Sequence, residues 1–228
     1  FAEINIKGGK PWVTAKTKVY TTISTQLKKC QEKSISAIFC DEAGIGKTYT
    51  AKRYTSENKN TVYVDCSQVK TKQRLVRMIA KEFGVGHDGR YSNVYGDLCF
   101  YINNGVSTPL IILDEAGDLD YPAFLELKAL WNATEGNCGW YMMGADGLKE
   151  KIERMIGHKK VGYTEIFSRY GKKYQRVSPL GKEDYQQFIM TQASQIIEVN
   201  APQGADKQQI LVKTEGSLRR IPIELAKI

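Results

Sequence analysis

Two short runs in the sequence carry side chains suited to holding phosphate and a divalent metal ion. The first is Asp41-Glu-Ala-Gly-Ile-Gly46-Lys47-Thr48. It follows an apolar strand-like stretch and opens a helical pattern, the setting a phosphate-binding loop requires. Glycines at 44 and 46 let backbone N–H groups turn inward, and the N-terminus of the next helix adds partial positive charge. In such a loop Lys47 reaches the β- and γ-phosphates, and the Thr48 hydroxyl binds Mg²⁺. Glu42, Ala43, Gly44, Ile45, Gly46, Lys47, Thr48 and Tyr49 are together expected to line the nucleotide. One residue departs from the pattern: Asp41 stands where a glycine is usual. The bland alternative is a glycine-containing strand-to-helix turn with no ligand.

The second run is Leu110-Ile-Ile-Leu-Asp114-Glu115. A buried strand that ends in two carboxylates presents them at the sheet edge where open α/β sheets bind ligands. Asp114 is expected to hold Mg²⁺ directly or through water, and Glu115 to polarise the water that attacks the γ-phosphate. An apolar strand ending in acids is common by itself; downstream of a phosphate loop it is far more specific. Asp118 and Asp120 read as a solvated acidic turn rather than a second metal site.

These side chains must be positioned by a scaffold of alternating strands and helices. Ser34–Cys40, Thr61–Asp65, Pro109–Asp114 and Gly139–Gly144 read as strands. Lys47–Glu57, Thr71–Phe83, Ser92–Asn103 and Pro122–Ala133 read as helices, with Pro122 suited to a first turn. Near-continuous apolar strands separated by helices imply a mostly parallel sheet covered on both faces. After about Pro179 the pattern becomes helical: Lys182–Gln195, Asp206–Thr214 and Leu218–Ile228, punctuated by glycines and Pro202. The expected organisation is an α/β nucleotide-binding domain over 1–178 and a small helical domain over 179–228.

The 228 residues carry a formal net charge of +8, with 42% apolar and 25% charged residues. That composition is ordinary for a globular protein and excludes disordered, collagenous and coiled-coil classes. The basic surplus favours a polyanionic partner without proving one. No apolar run is long enough to span a bilayer, and no signal-peptide pattern opens the chain. The sequence begins at Phe1, which points to a piece of a longer chain. Five cysteines without CxxC spacing read as reduced thiols and imply a cytoplasmic setting. His87 and His158 have no evident ligand or triad partner.

The phosphate loop, the strand VYVDC and the run PLIILDEAGDL resemble the AAA+ ATPases, and within them the transposition ATPases of the MuB/TnsC type. Those are related to the IstB and DnaC helicase loaders and to the origin-recognition ATPases. The resemblance implies a P-loop fold with a five-stranded parallel sheet between helices, a C-terminal helical lid, and ATP with Mg²⁺. It implies ATP-dependent self-association into a ring or filament on double-stranded DNA, and a transposase (or a helicase) as partner. Phe167-Ser-Arg169-Tyr resembles the segment that carries an arginine finger, which acts on the neighbouring subunit's γ-phosphate; the alternative is an arginine in a basic loop. Gly216-Ser-Leu-Arg219-Arg220 resembles the second sensor, with Arg219 the better match; the alternative is a helix N-terminal region with surface charge. At the first-sensor position Ala145 aligns and lacks the chemistry, which leaves Asp146. By the same resemblance, Trp12–Tyr20 is expected to border the adenine, although ordinary helix packing explains Trp12 and Val19 equally well.

From Val69 to Lys81 the sequence holds Lys70, Lys72, Arg74, Arg77 and Lys81 and no acid. Four of these share one helical face, with Leu75, Val76, Ile79 and Phe83 on the side facing a sheet. Related ATPases place DNA-contacting elements here, so Lys70, Lys72 and Arg74 are candidates for phosphate contacts, against a merely solvated basic face. The favoured function is an ATP-hydrolysing regulator of transposition. The alternatives are a helicase loader or replication-initiation ATPase, a nucleotide-dependent scaffold with little turnover, and a P-loop small-molecule kinase.

Overall fold

Five strands pair in parallel in the order β2-β3-β4-β1-β5. They are β1 (Ser36–Cys40), β2 (Thr61–Asp65), β3 (Leu110–Asp114), β4 (Gly139–Gly144) and β5 (Tyr174–Gln175). The computed structural model describes residues 11–228. The register sets Asp65 beside Asp114 and Cys40 beside Gly144, so these strands end along one edge. The central strands β3 and β4 are wholly buried, as their unbroken apolar runs require. The edge strand β2 alternates half-buried and buried positions, as its mixed composition predicts.

The helices are α1 (Lys18–Lys33), α2 (Lys47–Glu57), α3 (Lys72–Glu82), α4 (Tyr91–Phe100), α5 (Tyr121–Ala133), α6 (Asp146–Gly157), α7 (Tyr163–Arg169), α8 (Lys182–Asn200), α9 (Lys207–Thr214) and α10 (Ile221–Leu225). Strands β2 and β4 and helix α2 have the bounds the sequence predicts. The stretch expected as one helix over Ser92–Asn103 is instead α4 followed by a wider π turn over Tyr101–Gly105. The last expected helix, Leu218–Ile228, is confined to Ile221–Leu225, because Pro222 fits only the opening turn.

The described chain divides into two compact units. One comprises Ser24–Asp41 and Ala51–Arg176. Its core is built on the sheet, from Ile38, Val64, Ile111, Leu113, Trp140 and Met142, against Leu75, Ile79, Phe124 and Leu127 of α3 and α5. Each large apolar side chain buried there contributes about 1.5–3 kcal/mol of transfer free energy. Asp120 caps α5 by accepting the Ala123 N–H at 2.8 Å, and the proline follows directly at Pro122.

The other unit comprises the described residues up to Ile23, Glu42–Thr50 and Val177–Ile228. Ala193, Ile197, Ile210, Ile221 and Leu225 form its core, with Trp12 packed against them. The buried Asn200 accepts the Val13 N–H at 2.8 Å and donates to the Val13 carbonyl at 2.9 Å. Trp12 is thus part of this core, and Val13 is tied by its backbone to α8. No helix among the described residues is long and apolar enough to cross a membrane.

Candidate nucleotide-binding site

The chain leaves β1 at Cys40, turns through Asp41–Gly46 and enters α2 at Lys47. Gly44 and Gly46 have φ of +79° and +105°, and nothing lies within 4 Å of where their Cβ atoms would be. Backbone conformation, not space, requires glycine here. Asp41 has no positive φ, so the residue in the usual glycine position tolerates a side chain. Lys47 is nearly buried, and its Nζ donates to the Glu42 carbonyl at 2.7 Å across the loop. The Thr50 hydroxyl donates to the Gly46 carbonyl at 2.9 Å and secures the first turn of α2. The Tyr49 and Thr14 hydroxyls are 2.7 Å apart. Ile45 is buried beneath the loop, whereas Glu42, Thr48 and Tyr49 are partly exposed and Ala43 is exposed.

At the end of β3, Asp114 is 1% exposed. Its Oδ2 accepts the Tyr63 hydroxyl at 2.8 Å, and its Oδ1 accepts the Glu115 N–H at 2.9 Å. Burial first, and then the Asp114 charge, push the Tyr63 phenol well above its usual range. The hydroxyl therefore stays protonated and keeps donating. Burial and the surrounding carboxylates likewise raise the Cys66 thiol, which makes it a packing group rather than a nucleophile.

Glu115 is exposed and sits in the left-handed region at φ 49°, ψ 40°. A non-glycine residue there costs of order 1 kcal/mol and persists where neighbours impose it. The turn that follows is held by Lys151 on α6. Its Nζ donates to the Gly117 carbonyl at 2.7 Å and the Leu119 carbonyl at 2.5 Å, pinning the 3₁₀ turn Ala116–Asp118. Burial lowers the Lys151 pKa, against the opposing pull of Asp118 and Asp120. The spacing of Leu148 and Ile152 marks α6 as a helix, yet nothing in the sequence links Lys151 to the acidic turn.

The Thr48 hydroxyl and the Asp114 carboxylate are each hard oxygen ligands of the kind Mg²⁺ takes, and Mg²⁺ ordinarily completes its shell with water and substrate phosphate. No group of three or more His, Cys, Asp or Glu among the described residues is arranged to hold a metal.

Arg169 ends α7, with Nε donating to Asn132 Oδ1 at 2.8 Å and its guanidinium 5.3 Å from the Trp131 ring centroid. Helix α5 begins beyond Glu115 and runs back to the start of β4, and Asn132 is near its far end. At 1.5 Å rise per residue, roughly 18 Å of helix separates that end from the acidic turn. Arg169 is thus remote from Glu115 of its own chain. Arg219 is exposed in the turn before α10, beside Arg220, which pairs with Glu215 at 2.9 Å.

The basic stripe is narrower than the spacing implies. Lys70 precedes α3 and lies 3.6 Å from Asp118. Lys72 sits 5.6 Å from the Tyr91 ring centroid, and Arg74 is exposed. Arg77 leaves the stripe: it donates to the His87 carbonyl at 2.5 Å and the Gly89 carbonyl at 2.8 Å, holding the α3–α4 loop. This correction was not legible, because it depends on where residues 83–90 fold.

A family model described as an AAA domain matches residues 31–152, just over half of the chain. The chain belongs to the AAA domain family. The match takes in both the phosphate loop and the acid-ended β3, and the sheet with its flanking helices is the P-loop AAA+ fold. Among solved structures, this AAA domain is similar to ORC2 of Aeropyrum pernix in its ADPNP–ADP complexes: TM-score 0.66, 14% identity, covering 97% of this chain and 64% of that one. It is similar to Aeropyrum pernix ORC1 in complex with DNA, with TM-score 0.65, 15% identity and coverage of 97% and 60%. It is similar to Cdc6p of Pyrobaculum aerophilum, with TM-score 0.62, 14% identity and coverage of 90% and 58%. The AAA domain thus spans about three-fifths of the length of these structures. No curated protein matches it significantly.

Proposed function

We propose that this chain is an ATP-hydrolysing switch that assembles on double-stranded DNA. The observation that carries this reading is the pairing, in one sequence, of a loop with left-handed Gly44 and Gly46 and a buried Asp114 followed by a left-handed Glu115. Lys47 and Gly44–Tyr49 cradle the phosphates of ATP, Thr48 and Asp114 hold Mg²⁺, Glu115 orients the attacking water, and Arg219 reaches the nucleotide from the helical lid, 179–228. A bound Mg²⁺ would offset charge on the phosphates as the terminal one departs. Phosphate release measured with and without DNA tests the reading; release that DNA leaves unchanged would separate the ATPase from any DNA role. The five cysteines are all free thiols, which supports a cytoplasmic setting.

The host process has two supported readings. The motif runs resemble transposition ATPases, whereas the similar solved structures are named for origin-recognition and Cdc6 proteins. Co-purification with a transposase or with a replicative helicase decides between them.

Arg169 serves as a finger for the neighbouring subunit. Its distance from its own Glu115 supports action in trans, where it would stabilise charge on the transferring phosphoryl group. Mixing Arg169→Ala protein with Lys47→Ala protein is expected to restore part of the lost hydrolysis, because one intact composite site can form. No recovery at any ratio, with both variants folded and assembling, rules the finger out.

Lys70, Lys72 and Arg74 contact DNA phosphates. Replacing all three with Ala should weaken DNA binding and lower the slope of log affinity against log salt by up to about 2.7, at roughly 0.9 per lost phosphate contact. ATP binding should persist. An unchanged slope would move the contact to another surface, first of all the basic stretch 159–176.

A further inference from the structure

The Asp41 carboxylate is fully buried where a phosphate loop ordinarily has glycine. A buried charge is tolerated only with a partner. That partner is Arg176, whose Nε lies 3.5 Å from Asp41 Oδ1. The same guanidinium reaches Asp146 Oδ1 from its Nη1, also at 3.5 Å. The sheet explains how one side chain spans both. Strand β1 lies between β4 and β5, with Phe39 paired to Gln175 and Cys40 paired to Gly144. Arg176, next after β5, is therefore level with the end of β1. Asp41 lies at that end, and Asp146 opens α6 just past β4. A planar fork with several donors can bridge two carboxylates where a lysine ammonium, a single point of charge, serves one well.

We propose that Arg176 is a positioning residue of the nucleotide site: through Asp41 it fixes the point at which the phosphate loop leaves the sheet, and through Asp146 it fixes the turn that follows β4. This deepens, and rests on, the ATPase reading above. It also gives Asp146 a role: it anchors Arg176. The pairing replaces a glycine with a charged latch. Removing the latch frees the loop's origin without removing any side chain expected to touch the nucleotide.

The experiment compares the wild-type chain with the Asp41→Asn/Arg176→Met double variant and with Arg176→Lys, at a temperature where all are folded. The double variant leaves no buried charge unpaired, so it separates positioning from stability. Hydrogen exchange is read on nucleotide-free protein, and kcat/KM on ATP. In the double variant, amides of residues 42–46 and 145–147 should exchange at least tenfold faster while those of Ile111–Leu113 hold, and kcat/KM should fall at least tenfold. Arg176→Lys should remain nearer to wild type in both. A smaller change in loop exchange, loosening shared equally by Ile111–Leu113, a smaller loss of turnover, or a lysine variant as impaired as the double each overturns the proposal. If the double variant does not fold, Arg176→Gln is read by the same criteria. Wild-type protein that hydrolyses no ATP sinks the ATPase reading, whereas the exchange comparison still decides whether Arg176 holds the loop.

Discussion

Lys47→Ala should abolish measurable ATP binding at micromolar protein. Lys47 is 6% exposed, and its ammonium reaches back across the loop to the Glu42 carbonyl at 2.7 Å. The β- and γ-phosphates are expected within its reach. Removing one partner of a desolvated charge pair costs about 2–5 kcal/mol, which is roughly 30- to 5,000-fold in Kd. The glycine conformations at 44 and 46 do not depend on this side chain, so the fold should survive. Calorimetric titration with a non-hydrolysable ATP analogue checks the outcome. A Kd within threefold of wild type would remove the phosphate-loop assignment.

Glu115→Gln should leave ATP and Mg²⁺ binding intact and reduce kcat by about 10²–10⁴-fold, the usual contribution of a positioned general base. The substitution keeps size and hydrogen-bonding reach but loses the charge that draws a proton from water. Glutamine also accepts the left-handed backbone no worse than glutamate does, and the Lys151 contacts to the turn go to the carbonyls of Gly117 and Leu119, which the substitution leaves in place. The effect should therefore appear in kcat rather than in Kd. Turnover at the wild-type rate would mean that another group orients the water.

How far the sequence foretold the molecule depends on whether a feature is local. Strand β2 alternates, strand β4 is a short unbroken apolar run between glycines, and helix α2 opens directly after the glycine loop, so all three were legible to the residue. Strand β5 was not, because its two half-buried residues, Tyr174 and Gln175, carry no alternation to detect. Only the family resemblance foretold a fifth strand. The π turn after Phe100 was hidden because helical spacing continues through Tyr101 and Ile102. The loop and the acid-ended strand were legible as motifs. What shapes them was not: Lys151 on the acidic turn and Arg176 on Asp41 join residues far apart in sequence, and their encounter depends on sheet order. Asp41 was visible as an anomaly. A buried charge implies a partner, but among the chain's arginines and lysines only the register of β5 against β1 selects Arg176.

On this reading the AAA domain turns over ATP through Asp114 and Glu115. The most direct test is steady-state phosphate release by the purified chain with saturating ATP, with Mg²⁺ present and after its removal by EDTA, alongside Glu115→Gln as the baseline. Release is expected to require Mg²⁺ and to exceed the Glu115→Gln rate at least 100-fold. Release no greater than that baseline, from protein that binds ATP and is folded, would contradict it.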